Sequence, residues 1–322
     1  MKETVWIEDY RPKLLKDVIG QEHVIKYLSK YAKNKRLPHL LFAGPPGVGK
    51  TTCAQALARE IYGKGWQDYY LEMNASDERR LKDIREKVKR YAESAILGHD
   101  YKILFLDEVD HLDWQAQPPL RTIIEKNSDR CRFILSCNYP NKLIEPLIDR
   151  CVGFRFRKIR PKAVQELIKK VSEDNSINIS HSASYTLATL SNGSMRKALN
   201  TLQKLSSANI TKIDEEIVYD AFNYVDDNFV KKLLEYADKE ELKKADEYMD
   251  YLLYNRTYAP EEIIESLRRL IKDSNILSIN YKVQALKLLG DFAYRIDSGA
   301  NYDIQLKTYT VCLLDLYRRN KN

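Results

Sequence analysis

The sequence predicts a parallel α/β domain followed by two helical domains, and three observations carry that reading. Between Leu40 and Phe156, five short apolar runs alternate with helical patterns: "HLLFAG", "YYLEMNA", "KILFLDE", "CRFILSCN" and "VGFRF". Such alternation builds a mainly parallel sheet covered by helices, with function gathered at the carboxyl ends of the strands. After Pro161 the strand signals fade, and the remaining chain repeats apolar residues at helical spacing. The expected limits are 1–160 for the α/β domain, 161–227 for a small helical domain and 228–322 for a second helical block.

A chain of 322 residues exceeds what one hydrophobic core supports. With 44% hydrophobic and 31% charged residues, and only 11 Gly and 10 Pro, helices should dominate and long disordered segments are not expected. No apolar run reaches the roughly 20 residues that span a bilayer, and "MKETVWIEDYRP" lacks the apolar core of a signal peptide, so an intracellular location and no membrane partner are expected. The five cysteines are scattered, without the C-x-x-C pairs of a zinc site, and read as reduced thiols. The net charge of +7 permits a nucleic-acid partner without establishing one.

The first strand runs into "GPPGVGKT", Gly44 to Thr51, which opens the helical pattern "TTCAQALAREIYG". This is G-x-x-x-x-G-K-[ST] in the strand-to-helix context that the motif requires. Glycines let backbone amides curl toward phosphate oxygens, and the helix start adds its positive dipole end. Lys50 can reach outer phosphates, and the Thr51 hydroxyl can ligate Mg2+. The third run, "KILFLDEVD", delivers Asp107 and Glu108 to the same edge, one carboxylate for Mg2+ and one to polarise an attacking water. The fourth ends in Asn138, whose amide can bridge a water and a phosphate oxygen or simply serve a turn.

Beyond the sheet, "SMRKALNTLQKL" places Met195, Ala198, Leu199, Leu202 and Leu205 on one helical face, and Arg196 read alone is a solvated neighbour of Lys197. In "SDERRLKDIREKVKRYAES", Leu81, Ile84, Val88 and Tyr91 form an apolar stripe beside a basic one of Lys82, Arg85 and Lys89. By itself the basic stripe reads more readily as a solvated face paired with Asp83 and Glu86 than as a phosphate contact. The blocks "PEEIIESLRRLIK", "YKVQALKLLGDFAYRI" and "YTVCLLDLYRR" suit a helical bundle or an oligomer surface.

Taken together, these boxes resemble the AAA+ superfamily and, more narrowly, the small subunits of replication factor C, the clamp loader of archaea and eukaryotes. The likeness runs through most of the chain. "WIEDYRPKLLKDVIGQEHVIKYL" resembles the family's opening box, "PHLLFAGPPGVGKTT" its Walker A, "MNASDERR" its strand-to-helix turn, "FLDEVDHL" its Walker B, "FILSCN" sensor 1, "GSMRKALN" sensor 2 and "SGANYDIQL" its C-terminal collar.

The resemblance implies an AAA+ P-loop domain, a helical lid and an all-α collar, using ATP and Mg2+. Gly44, Pro45, Pro46, Gly47, Val48, Gly49, Lys50, Thr51 and Thr52 would bind the phosphates, with Arg11, Pro12, Val18 and Ile19 lining the adenine pocket. Thr51 and Asp107 would hold Mg2+, Glu108 would activate water, Asn138 would be the sensor asparagine, and Arg196 would reach the γ-phosphate. Arg79, Arg80, Lys82 and Arg85 become the candidates for tracking a DNA backbone. Ile96 and Leu97, which could equally be ordinary core residues, become candidates for touching the clamp.

The implied partners are other small subunits and a large subunit, in a hetero-oligomer expected to be a pentamer, with the sliding clamp PCNA and primer-template DNA. The compartment would be the cytoplasm and nucleoid in an archaeon, the nucleus in a eukaryote; the short length favours the archaeal type. Two other readings share the phosphate site: a non-hydrolysing scaffold of the same assembly, and another AAA+ machine such as a branch-migration helicase.

Five positions depart from the family pattern. Pro118 and Pro119 predict that the helix after Walker B starts or breaks there. Arg80 replaces a usual glycine, and Thr122 a usual arginine beside Arg121. Finally, "PLIDRCVGFRF" sets Asp149, Arg150 and Cys151 side by side, which by type alone suits a salt bridge, a thiol site or an arginine meant for another molecule. The family carries Ser-Arg-Cys here, so Arg150 would complete a neighbouring subunit's ATP site, with Asp149 either holding it or competing for it.

Overall fold

In the computed structural model, which describes residues 5–76, 81–94, 96, 98–208, 210, 212–222, 224, 228–239, 241–255, 258–275 and 277–321, all five apolar runs are strands. They are β1 (Leu40–Ala43), β2 (Tyr70–Asn74), β3 (Lys102–Asp107), β4 (Cys131–Cys137) and β5 (Val152–Arg155). Their order across the sheet is β2-β3-β4-β1-β5, and every pairing is parallel. Parallel pairing brings the carboxyl ends to one edge, where a ligand site is expected. Ala43 lies beside Cys137, and Asn74 beside Asp107. The turns that leave β1, β3 and β4 therefore emerge together.

The continuous apolar runs are explained by burial on both faces. On one face Leu40, Phe42, Ile103, Phe105 and Ile134 pack against Cys53, Leu57 and Ile61 of helix Lys50–Tyr62 and against Val24 and Leu28 of helix Glu22–Asn34. On the other, Leu41, Leu104, Leu106, Phe133 and Leu135 meet Val88 and Ala92 of helix Leu81–Glu93 and Leu120, Ile123 and Ile124 of helix Gln117–Lys126. Side chains alternate across a strand, so one run supplies both cores. Helix Gln117–Lys126 starts at the two prolines, as their lost N–H groups require.

The chain separates into two compact units, Met1–Glu215 and Glu216–Asn322. The division falls ahead of the Asn228 start expected for the last block. Helices Pro161–Asp174, His181–Leu190 and Met195–Ser207 thus share a unit with the sheet. Long-range hydrogen bonds hold them there: the Trp6 N–H donates to Gln203 Oε1 at 3.2 Å, the Met195 N–H to Gly47 O at 3.0 Å, and Asn175 Nδ2 to the Tyr10 hydroxyl at 2.8 Å. Of the expected stripe, Ala198, Leu199, Leu202 and Leu205 are buried and Met195 is half-buried.

The second unit is helical, with Asn228–Asp238, Leu242–Asp250, Pro260–Asp273, Ile279–Asp297 and Tyr302–Lys321 around Leu233, Met249, Ile263, Leu267, Leu306 and Leu313. Two phenols in its core are satisfied by backbone carbonyls, Tyr281 by Leu313 at 3.2 Å and Tyr309 by Ala285 at 3.3 Å.

Candidate active site

At the carboxyl edge of the sheet, the first unit contains a cavity of about 730 Å³. Pro46 to Thr52 line it together with Arg11, Pro12, Val18, Ile19, Asp107, Glu108, Asn138 and Arg196. Residues far apart in sequence thus converge on one space. Gly44 and Pro45 do not line it; their carbonyls accept from the Lys50 ammonium.

The phosphate loop takes its form from β1 below and from the helix it opens. Gly44 donates its N–H to Cys137 O at 3.1 Å, and a Cβ built on it would meet Phe156 O at 2.5 Å, so only glycine fits between β4 and the end of β5. Gly47 and Gly49 adopt positive φ of 74° and 100°, the left-handed conformations that expose the loop amides. Lys50 is buried, donating to Gly44 O at 2.6 Å, Pro45 O at 3.0 Å and Asn138 Oδ1 at 2.8 Å. Burial lowers its pKa, and the nearby Asp107 carboxylate opposes that shift.

Thr51 Oγ1 donates to Asp107 Oδ2 at 3.0 Å, so a hydroxyl and a carboxylate oxygen, the ligand types a hard divalent cation takes, lie side by side. Asp107 Oδ1 accepts the Glu108 N–H at 3.0 Å. Glu108 has a φ of 56°, a costly conformation for a residue with a Cβ, at the point where β3 meets the cavity. That turn separates the two acids: Asp107 pairs with Thr51, while Glu108 faces the cavity from the next residue.

Three positioning residues lacked a local sequence signal. Gln21 is fully buried; its Nε2 donates to Arg157 O at 2.8 Å and Val48 O at 3.3 Å, and its Oε1 accepts the Arg157 N–H at 3.2 Å. It clips the phosphate loop to the chain leaving β5. Asp110, also buried, accepts the N–H groups of Asn138 at 3.2 Å and Tyr139 at 3.0 Å through Oδ2, fixing the loop that carries Asn138. Glu125 holds Arg150, contacting its Nε at 2.7 Å and its Nη2 at 2.6 Å. Of the two roles the sequence left open for Asp149, holding Arg150 falls to Glu125 instead: Asp149 is the C-cap residue of the short helix Glu145–Ile148, and among the described residues it forms no ion pair with Arg150.

Arg150 does not line the cavity. Arg196 does, from the first turn of helix Met195–Ser207, whose cap is Ser194 accepting the Lys197 N–H at 3.2 Å. Arg79, Arg80 and Leu97 lie outside the described residues, as do the side chains of Lys82 and Arg85 on helix Leu81–Glu93. Ile96 is partly exposed in the loop before β3. Cys151 packs against the core, and burial pushes the thiols of Cys53, Cys131, Cys137 and Cys151 up to about 12. Among the described residues no cluster of His, Cys, Asp and Glu could hold a metal ion unaided, and no helix is long and apolar enough to cross a membrane.

A phosphate loop at the end of β1, an acid pair at the end of β3 and an asparagine at the end of β4 define a P-loop ATPase of the AAA class. The family model of ATPases associated with various cellular activities matches residues 40–158, and that of the replication factor C C-terminal domain matches residues 225–311. The chain is 39% identical over 316 residues to a replication factor C small subunit of Archaeoglobus fulgidus, covering 98% of each chain. It is 41% identical over 303 residues to that of Methanococcus vannielii, covering 94% of this chain and 95% of the relative. The chain therefore belongs to the replication factor C small-subunit family. Among solved structures it is similar to the Thermotoga maritima RuvB Holliday junction branch migration motor, with a TM-score of 0.55 and 25% identity over 70% of this chain and 78% of that one.

Proposed function

We propose that this chain is an ATP-hydrolysing small subunit of a clamp loader, and that its ATP site is completed by Arg150 of an adjacent subunit. The observation that carries this reading is the division of the site. Lys50, Thr51, Asp107, Glu108, Asn138 and Arg196 border one cavity, whereas Arg150 lies off it, half-exposed and held by Glu125. Its exposed position off the cavity supports a role toward a second molecule.

Lys50 and the backbone N–H groups from Gly47 to Thr52 hold the phosphates of ATP, and Arg11, Pro12, Val18 and Ile19 enclose the adenine. Phosphate binding replaces the present contacts of the Lys50 ammonium. Thr51 and Asp107 would hold Mg2+, which supplies charge neutralisation at the outer phosphates. Glu108 polarises the attacking water, Asn138 orients it, and Arg196 with the incoming Arg150 balances charge on the transferred phosphoryl group. Completing the site from a neighbour makes hydrolysis conditional on assembly.

The family supports the rest of the assignment. The partners are further small subunits and a large subunit, the PCNA-type clamp and primer-template DNA. Arg79, Arg80, Lys82 and Arg85 are proposed for sequence-independent phosphate contacts, and Ile96 and Leu97 for the clamp. The division of labour is ATPase core over 1–160, lid over 161–227 and collar over 228–322. An archaeal-type cytoplasmic location fits the archaeal relatives. Near-full-length likeness to clamp-loader subunits favours this reading over a branch-migration motor, whose likeness covers less of the chain at lower identity.

The test is Glu108→Gln in the complex reconstituted with its large subunit. ATP binding should persist while hydrolysis stimulated by clamp and primed DNA falls about 10²–10⁴-fold. Unchanged hydrolysis would mark a scaffold subunit, and absence of clamp stimulation in the wild-type complex would reject the loader assignment.

A further inference from the structure

We infer that Glu125 is a positioning residue for the in-trans arginine, presenting Arg150 to the neighbouring site. The inference rests on the reading of Arg150 proposed above. Nothing in the sequence joins the two residues, which lie on different elements: Glu125 in the last turn of helix Gln117–Lys126, and Arg150 between helix Glu145–Ile148 and β5.

Both supports are firmly held. Gln117, almost fully buried, donates from Nε2 to Leu112 O at 3.2 Å and Lys142 O at 3.0 Å, and its Oε1 accepts the Ile144 N–H at 2.8 Å. The helix start is thereby tied to the segment that leads to Arg150. On the other side, the Cys151 N–H donates to Ile148 O at 2.9 Å and its side chain joins the core. Backbone geometry around Arg150 is thus set, and its long side chain is the remaining freedom.

Glu125 removes that freedom along one edge. Its Oε1 contacts both Nε and Nη2 of Arg150, while Arg121 Nε stands farther off at 3.7 Å. A guanidinium is planar with five N–H donors, so engagement along the Nε/Nη2 edge turns the Nη1 donors away from the carboxylate. The Arg150 side chain is 43% exposed, which leaves that second edge open to an incoming phosphate. A carboxylate behind a guanidinium both aims it and spares a neighbouring subunit the ordering of a mobile side chain. The pair is too exposed to contribute much to folding stability, so its removal should leave the fold intact.

The experiment is single-turnover hydrolysis by the reconstituted complex, with Glu125→Ala, Glu125→Gln, Arg150→Ala and the Glu125→Ala/Arg150→Ala double variant, each checked for assembly and for ATP affinity. Glu125→Ala should lower the single-turnover rate constant about tenfold with ATP affinity and assembly unchanged. Glu125→Gln, which keeps an acceptor oxygen, should lose less. In the Arg150→Ala background, Glu125→Ala should cost nothing further. An unchanged or raised rate in Glu125→Ala would overturn the inference, a raised rate showing that the carboxylate competes for the arginine. An equal loss with and without Arg150 would also overturn it, because Glu125 would then act elsewhere. If Arg150→Ala itself leaves turnover intact in assembled complexes, the in-trans reading fails first, and the two failures are told apart by that single variant.

Discussion

Replacing Gln21 by leucine tests how the phosphate loop is held. The change keeps the volume roughly constant and removes every polar atom of the side chain. Three backbone groups lose their partner: Val48 O, Arg157 O and the Arg157 N–H, now bonded at 3.3, 2.8 and 3.2 Å. Val48 is buried, so its carbonyl loses a bond that water cannot restore, at about 1–3 kcal/mol. Arg157 is exposed, and its backbone groups can recover part of their loss from solvent. The expected total is about 2–4 kcal/mol from the first unit. Urea unfolding followed by tryptophan fluorescence measures it, with nucleotide binding titrated in parallel. ATP affinity should fall because the loop loses its clip to the chain after β5. Gln21→Glu should be no milder, since a carboxylate would face two carbonyls without a donor. A Gln21→Leu protein within about 0.5 kcal/mol of wild type, binding ATP normally, would refute the reasoning.

Three further outcomes follow from particular contacts. Burial lowers the His39 pKa to about 4, with Arg132 adding to the shift, and its Nδ1 accepts the Phe133 N–H at 3.1 Å, a bond only the neutral ring can make. The unfolded chain takes up this proton near pH 6.5 and the folded one near 4, so the contribution is complete above 6.5 and lost as pH falls toward 4. Allowing for partial exposure it amounts to about 2 kcal/mol, and His39→Asn should flatten the stability profile over that window. Gly44→Ala should destabilise by at least about 1–3 kcal/mol and abolish nucleotide binding, because the added carbon meets the Phe156 carbonyl; a normal thermal midpoint with full binding would contradict this. Asp110→Ala frees the Asn138 and Tyr139 N–H groups, and hydrolysis should fall about tenfold with ATP binding retained; a loss of binding instead would assign Asp110 to the phosphate loop.

What the sequence disclosed and what it withheld divide by the range of the interaction. The strands were legible because doubly buried strands are continuous apolar runs, and Lys50, Thr51, Asp107 and Glu108 were legible because each sits in a strand-end motif of fixed spacing. The proline pair foretold the start of helix Gln117–Lys126 by local chemistry alone. Gln21 and Asp110 lie inside boxes the sequence singled out and Glu125 on an ordinary helix face, yet none could be given a role because their partners come from distant parts of the chain. Glu125 in particular fits a solvated helix face, and only folding brings Arg150 onto it. Asp149 invited attention because it is adjacent in sequence, yet its side chain is not the one that meets the guanidinium. The separation of the two compact units after Glu215 leaves no break in the sequence pattern. Helical periodicity continues across it, and hydrogen bonds such as Met195 N–H to Gly47 O decide which helices stay with the sheet.

If ATP held by this chain drives placement of a sliding clamp on DNA, clamp loading itself is the measurement to make. The clamp, primed circular DNA, the large subunit and this chain are mixed with ATP, and clamp retained on the DNA after gel filtration is counted. Retention should require this chain and ATP, and should be lost with Lys50→Ala. Equal retention with Lys50→Ala, or without ATP, would contradict it.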